Sequence, residues 1–188
     1  MLSKIIVQGL VSGGIYAVLA VGFSLIFGVG KILNMAHTAF YMVSAYIIFY
    51  ATSMLGLPLP ASLTLAIILT TVLGIACYIL FFNRVKHHDT TVMIISVALA
   101  IIFQEVLLLV FGGHYRGVPP FARGFMEIWQ LRVSYQHLIA IVTSGVILIG
   151  LWIMLKKTGL GTAIRSVAED REIANLMGMN VDRILLIV

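Results

Sequence analysis

The sequence predicts an all-α integral membrane protein, a polytopic helical bundle, and three observations carry that prediction. Hydrophobic residues fill 61% of the 188 positions and charged residues only 10%, where a soluble domain carries about a quarter charged residues. The apolar residues are gathered into runs of about 20, long enough to cross the hydrocarbon of a bilayer as helices. The breaks between the runs hold nearly all the charge and all four prolines. Such an excess of apolar surface does not fit inside a larger core, so side chains must face lipid.

Residues 5–27 contain no charge and reach about 35 Å as a helix; they form the first crossing, broken by Gly28-Val29-Gly30-Lys31. That run is too long for a signal-peptide core and no small-residue cleavage pattern comes after it. Residues 35–57 make the second. Gly56-Leu57-Pro58-Leu59-Pro60 is a tight turn, because its prolines lack backbone donors and oppose helix before them. Residues 61–82 make the third, ended by the basic stretch 83–89, and residues 90–111 the fourth, ended by Gly112-Gly113. Residues 114–135 are a mixed loop in which Trp129 and Tyr135 suit the membrane interface. Residues 137–155 make the fifth crossing, and a sixth starts at Ile184. Five complete crossings and the start of a sixth are therefore expected. No domain ends in mid-crossing, so 1–188 is read as one transmembrane domain that is the N-terminal portion of a longer protein.

Charge sets the orientation. Lys31, Arg84, Lys86, Lys156, Lys157, Arg165, Arg171 and Arg183 lie after the odd-numbered crossings, against Lys4, Arg116, Arg123 and Arg132 on the other side. Cytoplasmic loops carry the excess of Lys and Arg, which puts the N-terminus outside and residues 159–183 in the cytoplasm. The net charge of +5 is accounted for by this asymmetry, and no nucleic-acid partner is implied. Cys77 is the single cysteine, inside an apolar run; it has no disulfide partner in the chain and no second thiol for a metal site.

Several polar or small residues inside the runs are candidates for function. Gly9, Gly13, Gly14 and Gly22 stud the first crossing, and Gly9 and Gly13 have the small-xxx-small spacing that lets helices approach closely in lipid. Asn34 and His37 share a helical face. They either line a substrate path, with Tyr41 further along, or cap the second crossing at the cytoplasmic interface. Glu105 is the one acidic residue well inside a crossing, a candidate for the path or for pairing near the outer end. His87-His88-Asp89 lies in a basic loop with no further ligand cluster, which argues for solvated charge and no metal. There is no phosphate-binding loop either. Gly30-Lys31 is preceded five positions back by Leu25 and followed by Ile32. No cofactor is expected, and ATP hydrolysis, if used, belongs to another subunit.

The longest polar stretch that still reads as folded helix is 159–183, GLGTAIRSVAEDREIANLMGMNVDR. Residues 162–167 continue as a short amphipathic turn after Gly161. Asp170 caps a second helix over 171–177, with Glu172 at its positive end. Ile173, Ala174, Leu176 and Met177 form an apolar face. Gly178 ends the helix in a left-handed conformation, and Asn180 caps the sixth crossing. An exposed two-turn helix with an apolar face fits docking into a groove; the rival placement on lipid headgroups is opposed by its acidic residues.

Two stretches carry a resemblance. GGIYAVLAVGFSLIFGV…ILNMAHTAFYMVSAY (13–46) and GLGTAIRSVAEDREIANLMGMNVDRI (159–184) resemble, in order and spacing, the permeases of branched-chain amino acid ABC importers. The resemblance covers essentially the whole chain. It implies a transport subunit and not an enzyme, in the bacterial inner membrane. Its implied partners are a second permease (identical or not), two cytoplasmic ATP-binding subunits and a periplasmic substrate-binding protein. It places Ala168, Glu169, Asp170, Ala174 and Gly178 on the ATPase-coupling loop within 156–183. Asn34, Ala36, His37, Phe40 and Tyr41 fall on the family's N-terminal signature, while Glu105 is not a feature of the family. The implied substrates are leucine, isoleucine and valine; related permeases carry urea or short amides. The rival class is an ATP-independent secondary transporter or channel, which needs buried ion ligands that only Glu105 offers. A membrane-embedded enzyme needs a cluster, and His37, His87, His88, His114 and His137 are scattered.

Overall fold

The computed structural model describes residues 2–31, 33–85, 89–114, 117–118, 124–128 and 131–188. Helix α1 (Leu2–Gly30) is followed by α2 (His37–Ser53), α3 (Leu59–Cys77), a π-helical turn (Tyr78–Phe82), α4 (Asn83–Val85) and α5 (Asp89–Phe111). A hairpin of β1 (Phe125–Ile128) and β2 (Leu131–Ser134) leads into α6 (Tyr135–Lys157). Three shorter helices come next: α7 (Gly159–Glu169), α8 (Arg171–Leu176) and α9 (Val181–Ile187).

Among the described residues, four helical stretches are long and apolar enough to cross a membrane: Ile5–Gly30, Leu59–Val85, Thr90–Phe111 and Tyr135–Lys157. The second expected crossing is shorter than 35–57. Helix α2 has 17 residues, about 25 Å of rise. Every long element is a helix, as a polytopic helical membrane protein requires. The expected loop 114–135 differs in one respect: within it β1 and β2 pair antiparallel, with Phe125 opposite Ser134 and Ile128 opposite Leu131. Strand pairing gives this stretch backbone partners that an irregular loop lacks. The first helix ends within the expected break 28–31: it runs through Gly30, because a helical glycine costs only about 1 kcal/mol, and turns at Lys31, whose φ of 50° is left-handed. At the proline turn, Gly56 takes the positive φ (65°). Pro58 is the N-cap of α3 and Pro60 lies in its first turn, where a missing N–H removes no helical bond. Trp129, His87 and His88 lie outside the described residues.

The chain forms two compact units, Met1–Gly30 with Pro120–Val188, and Lys31–Pro119. In the first, α1 packs on α6, and α7 packs on both. A Cβ built on Gly14 would lie 3.2 Å from the Ser144 side chain, whereas one on Gly9 or Gly13 meets nothing within 4 Å. Gly14 is thus where α1 and α6 approach within this unit, and Gly22 is half-buried on the same helix. Ser144 is buried and gives its hydroxyl proton to the Ala140 carbonyl at 2.8 Å, so it brings no unpaired polar group to the contact. We expect Gly14→Leu to push the helices apart and destabilise the detergent-purified protein by about 1–3 kcal/mol, and Gly9→Ala to leave it as stable or to stabilise it by up to about 1 kcal/mol. A thermal-unfolding series with the two in the reverse order removes Gly14 from this role.

In the second unit α2 packs on α3 and α5. Its core is Ala36, Cys77, Phe82, Val92 and Leu99, with Phe40 and Phe103 beside it. Phe40 and Phe103 are 5.4 Å apart between ring centres. Tyr46, Phe49 and Tyr50 surround Phe111 at 4.8–6.4 Å, the tilted spacings that aromatic quadrupoles favour.

Candidate functional site

The polar segment 156–183 is built from consecutive caps. Thr158 ends α6 and starts α7: its backbone N–H reaches the Met154 carbonyl, and its hydroxyl oxygen accepts the Gly161 N–H at 3.1 Å. Gly161, Ile164 and Val167 recur every three residues and are buried, which gives α7 one apolar face against its neighbours. Asp170 then closes α7 and opens α8. Its backbone N–H bonds the Ser166 carbonyl, and its carboxylate accepts the Glu172 and Ile173 N–H groups at 2.8 and 3.0 Å. Glu172 sits in the first turn, where the positive end of the helix favours an acid.

The end of α8 is as well defined as its start. Gly178 has φ +83°. Its N–H bonds the Asn175 carbonyl at 3.0 Å, and the Met179 N–H bonds the Ala174 carbonyl at 3.1 Å. This pair of bonds around a left-handed residue is a Schellman motif. Asn180 opens α9 by accepting the Arg183 N–H at 3.0 Å. An open depression of about 550 Å³ lies beside the turn, lined by Arg171, Glu172, Asn175 and Asp182 among others.

The apolar face of α8 is narrower than the sequence suggests. Ile173, Leu176 and Met177 are 56, 87 and 73% exposed, whereas Ala174 is buried. At about 100° per residue the first three fall within one arc of about 100°, and Ala174 lies about 60° beyond it. Ala168 is half-buried and Glu169 is exposed. The segment therefore presents a rigid, capped two-turn helix whose outward face is three large apolar side chains.

The candidates near the start of α2 are arranged differently. Asn34 is not the N-cap; Ala36 is. The Asn34 side-chain oxygen takes the Ala36 N–H at 3.0 Å, and its carbonyl takes the His37 N–H at 3.3 Å. It thus folds the chain back two residues earlier than a cap would, as Asn commonly does in turns. His37 is the first residue of α2 and half-buried, while Tyr41 and Glu105 are exposed. Helices α2 and α5 run parallel, since Phe40 meets Phe103 and Tyr46 meets Phe111. On that register His37 and Glu105 are offset by about 7 Å along the axes. Asn34 and His37 are brought together; Glu105 stands apart from them.

A model of the family described as "Branched-chain amino acid transport system / permease component" matches residues 5–188. The chain belongs to that family. It is 26% identical to the high-affinity branched-chain amino acid transport system permease protein BraD of Pseudomonas aeruginosa, over 96% of this chain and 63% of that protein. It is 23% identical to LivH of Escherichia coli K12, which bears the same description, over 95% of this chain and 62% of that one. A probable LivH of Methanocaldococcus jannaschii is 23% identical, with 96% and 59% covered. The chain spans about three fifths of the length of these relatives. No solved structure is a significant match. The family match takes in both the N-terminal stretch with Asn34 and His37 and the whole capped segment.

Sequence reasoning missed three residues. Ser96 is fully buried on α5 and accepts the Met35 N–H at 3.0 Å; its own proton lies within reach of the Met93 carbonyl at 2.8 Å. It ties the non-helical run before α2 to α5. Arg165 donates to the Leu155 carbonyl at 2.6 Å, and Arg171 donates to the carbonyls of Val29 and Gly30. The partners of Ser96 and Arg171 are over 60 residues away in sequence, so no local signal announces them. Only Arg165, ten residues from Leu155 and four beyond a tight glycine, left a trace in the pattern.

Proposed function

We propose that this chain is part of the membrane-spanning permease of an ATP-binding-cassette importer that moves leucine, isoleucine and valine across the bacterial inner membrane. Residues 1–188 belong to one permease domain, with 156–183 as its coupling loop. The N-terminus is outside and the loop is cytoplasmic. Helix α2, at the lower bound of 17 residues for a spanning helix, is the second of five crossings, and α9 begins the sixth. A second permease subunit, two ATP-binding subunits and a periplasmic binding protein complete the assembly, and hydrolysis is left to the ATP-binding subunits. The observation that carries this reading is the exposed Ile173, Leu176 and Met177 face of α8, held between the Asp170 cap and the Gly178 turn, in a chain of this family. Ala168 and Glu169 precede that helix, and Ala174 is its buried residue. Closure of the ATP-binding subunits moves it, and the crossings reorient around a path for which Asn34, His37, Tyr41 and Glu105 are the candidates.

The test is uptake by proteoliposomes holding the full-length permease with its ATP-binding and periplasmic partners. ATP-dependent accumulation of leucine, isoleucine and valine is expected, with none of urea or short amides. Uptake that persists without the ATP-binding subunits overturns the mechanism, and preference for an amide overturns the substrate. Gly178→Val is expected to insert normally yet lower uptake about tenfold or more while ATP hydrolysis continues. A β-branched residue in the left-handed region costs about 1–3 kcal/mol, which α8 avoids by shedding its terminal turn. Wild-type uptake by Gly178→Val removes the turn from the coupling role.

A further inference from the structure

Besides the apolar packing of α7, two arginines tie the capped segment to its unit, and each grips the end of a different long helix. Arg171, the first residue of α8, is half-buried and directs one guanidinium nitrogen at the carbonyls of Val29 and Gly30, 3.2 Å from the former. These are terminal carbonyls of α1, whose last turn contains no basic residue of its own. The last four carbonyls of a helix lack intrahelical partners and form the negative end of its dipole, so a guanidinium there meets both a hydrogen-bonding need and a charge. Arg165, on α7, does the same for α6 through Leu155. Val29 and Gly30 are themselves buried.

We propose that Arg171 is the positioning residue that carries the displacement of α8 into α1, with Arg165 holding α6 to the same element. The inference rests on the proposed role of α8 as the part an ATP-binding subunit moves. Arg171 is at the first position of that helix, next to its Asp170 cap, so it turns with the helix when the apolar face is pushed. Helix α1 continues unbroken for 29 residues from the gripped carbonyls. An α-helix keeps its rise per residue, so a push on its last turn moves the whole rod. Through that one nitrogen the guanidinium holds two carbonyls at once, which ties it to the end of α1 at two successive residues.

The experiment uses the full-length permease reconstituted with its ATP-binding and periplasmic partners, in a Cys77→Ala background carrying Phe27→Cys. Phe27 is exposed in the last turn of α1, and maleimide labelling at that position reports movement there. Without an Arg171 substitution, labelling is expected to change between the nucleotide-free and ATP-trapped states. In Arg171→Gln that change is expected to vanish. The ATP-binding subunits remain bound and substrate moved per ATP hydrolysed falls about tenfold, within the usual range of coupling energies. Arg171→Lys is expected to recover part of the loss. Retained labelling change and unaltered transport per ATP in Arg171→Gln overturn the link alone. Loss of subunit binding in Arg171→Gln, not relieved by lysine, makes Arg171 a structural cap and also overturns it. If the subunits fail to bind the unsubstituted permease, the functional reading falls and the link falls with it.

Discussion

Gly161→Ala is expected to leave little correctly folded protein. A methyl group at this position would collide with the carbonyl oxygens of Met154 and Leu155. Both are main-chain atoms of the last turns of α6, so no side chain can swing aside to admit it. Either α7 lifts off α6 or the end of α6 unwinds. Each outcome breaks the Thr158 caps and the Arg165 bond to Leu155. A cost of about 3 kcal/mol is expected, a large share of the stability of a typical domain. Gly159→Ala is the control, because a Cβ there meets nothing within 4 Å. The measurement is the yield of monodisperse protein in detergent and its unfolding temperature. A Gly161→Ala protein that matches Gly159→Ala in both means that α6 and α7 do not approach as closely as the geometry states.

The contrast between those two glycines shows what the sequence could and could not tell. Sequence spacing treats Gly159 and Gly161 alike, since both stand near the polar boundary of α6. Only the packing of α7 against α6 separates them. Long features were legible because lipid demands them: apolar runs of about 20 residues have few alternatives to helix, and α5 and α6 fall within two residues of the expected crossings. The caps of α8 were legible for a different reason. Asp170, Gly178 and Asn180 act on backbone groups within five residues of themselves, so residue type and position suffice. Longer-range ties were not. Ser96 answers to Met35 and Arg171 to Gly30 across 61 and 141 residues, and neither partner side chain advertises a need, because the acceptor or donor is main chain. The hairpin was missed because its strands have only four residues each, too few for alternation to stand out from a mixed loop. The glycines of α1 were legible as a group, but within this unit Gly14 meets a close neighbour while Gly9 and Gly13 do not.

Leu176→Asp is expected to do the opposite of Gly161→Ala, abolishing transport while leaving the fold alone. Leu176 is 87% exposed at the last position of α8, and little of it is covered by the described residues. A surface change of this kind alters stability by about 0.5 kcal/mol or less, so the unfolding temperature should not move. If α8 inserts into a groove of the ATP-binding subunit, its most protruding apolar side chain is an anchor. Burying a carboxylate in that groove then costs its desolvation with nothing to pair it. Truncation of such anchors weakens complexes by about 2 kcal/mol or more, and an added charge does at least as much, so binding of the ATP-binding subunit should fall about thirtyfold or further. Met177→Asp, on the same arc, is expected to behave alike. Glu169→Gln, an exposed change on the other side of the Asp170 cap, should bind normally. Co-purification of the subunits with each variant, followed by uptake in proteoliposomes, separates these cases. Unweakened binding by Leu176→Asp would leave the exposed face of α8 without a role in docking. The ATP-binding subunit must then engage another surface, and the Arg171 link would lose its driving force at the same stroke.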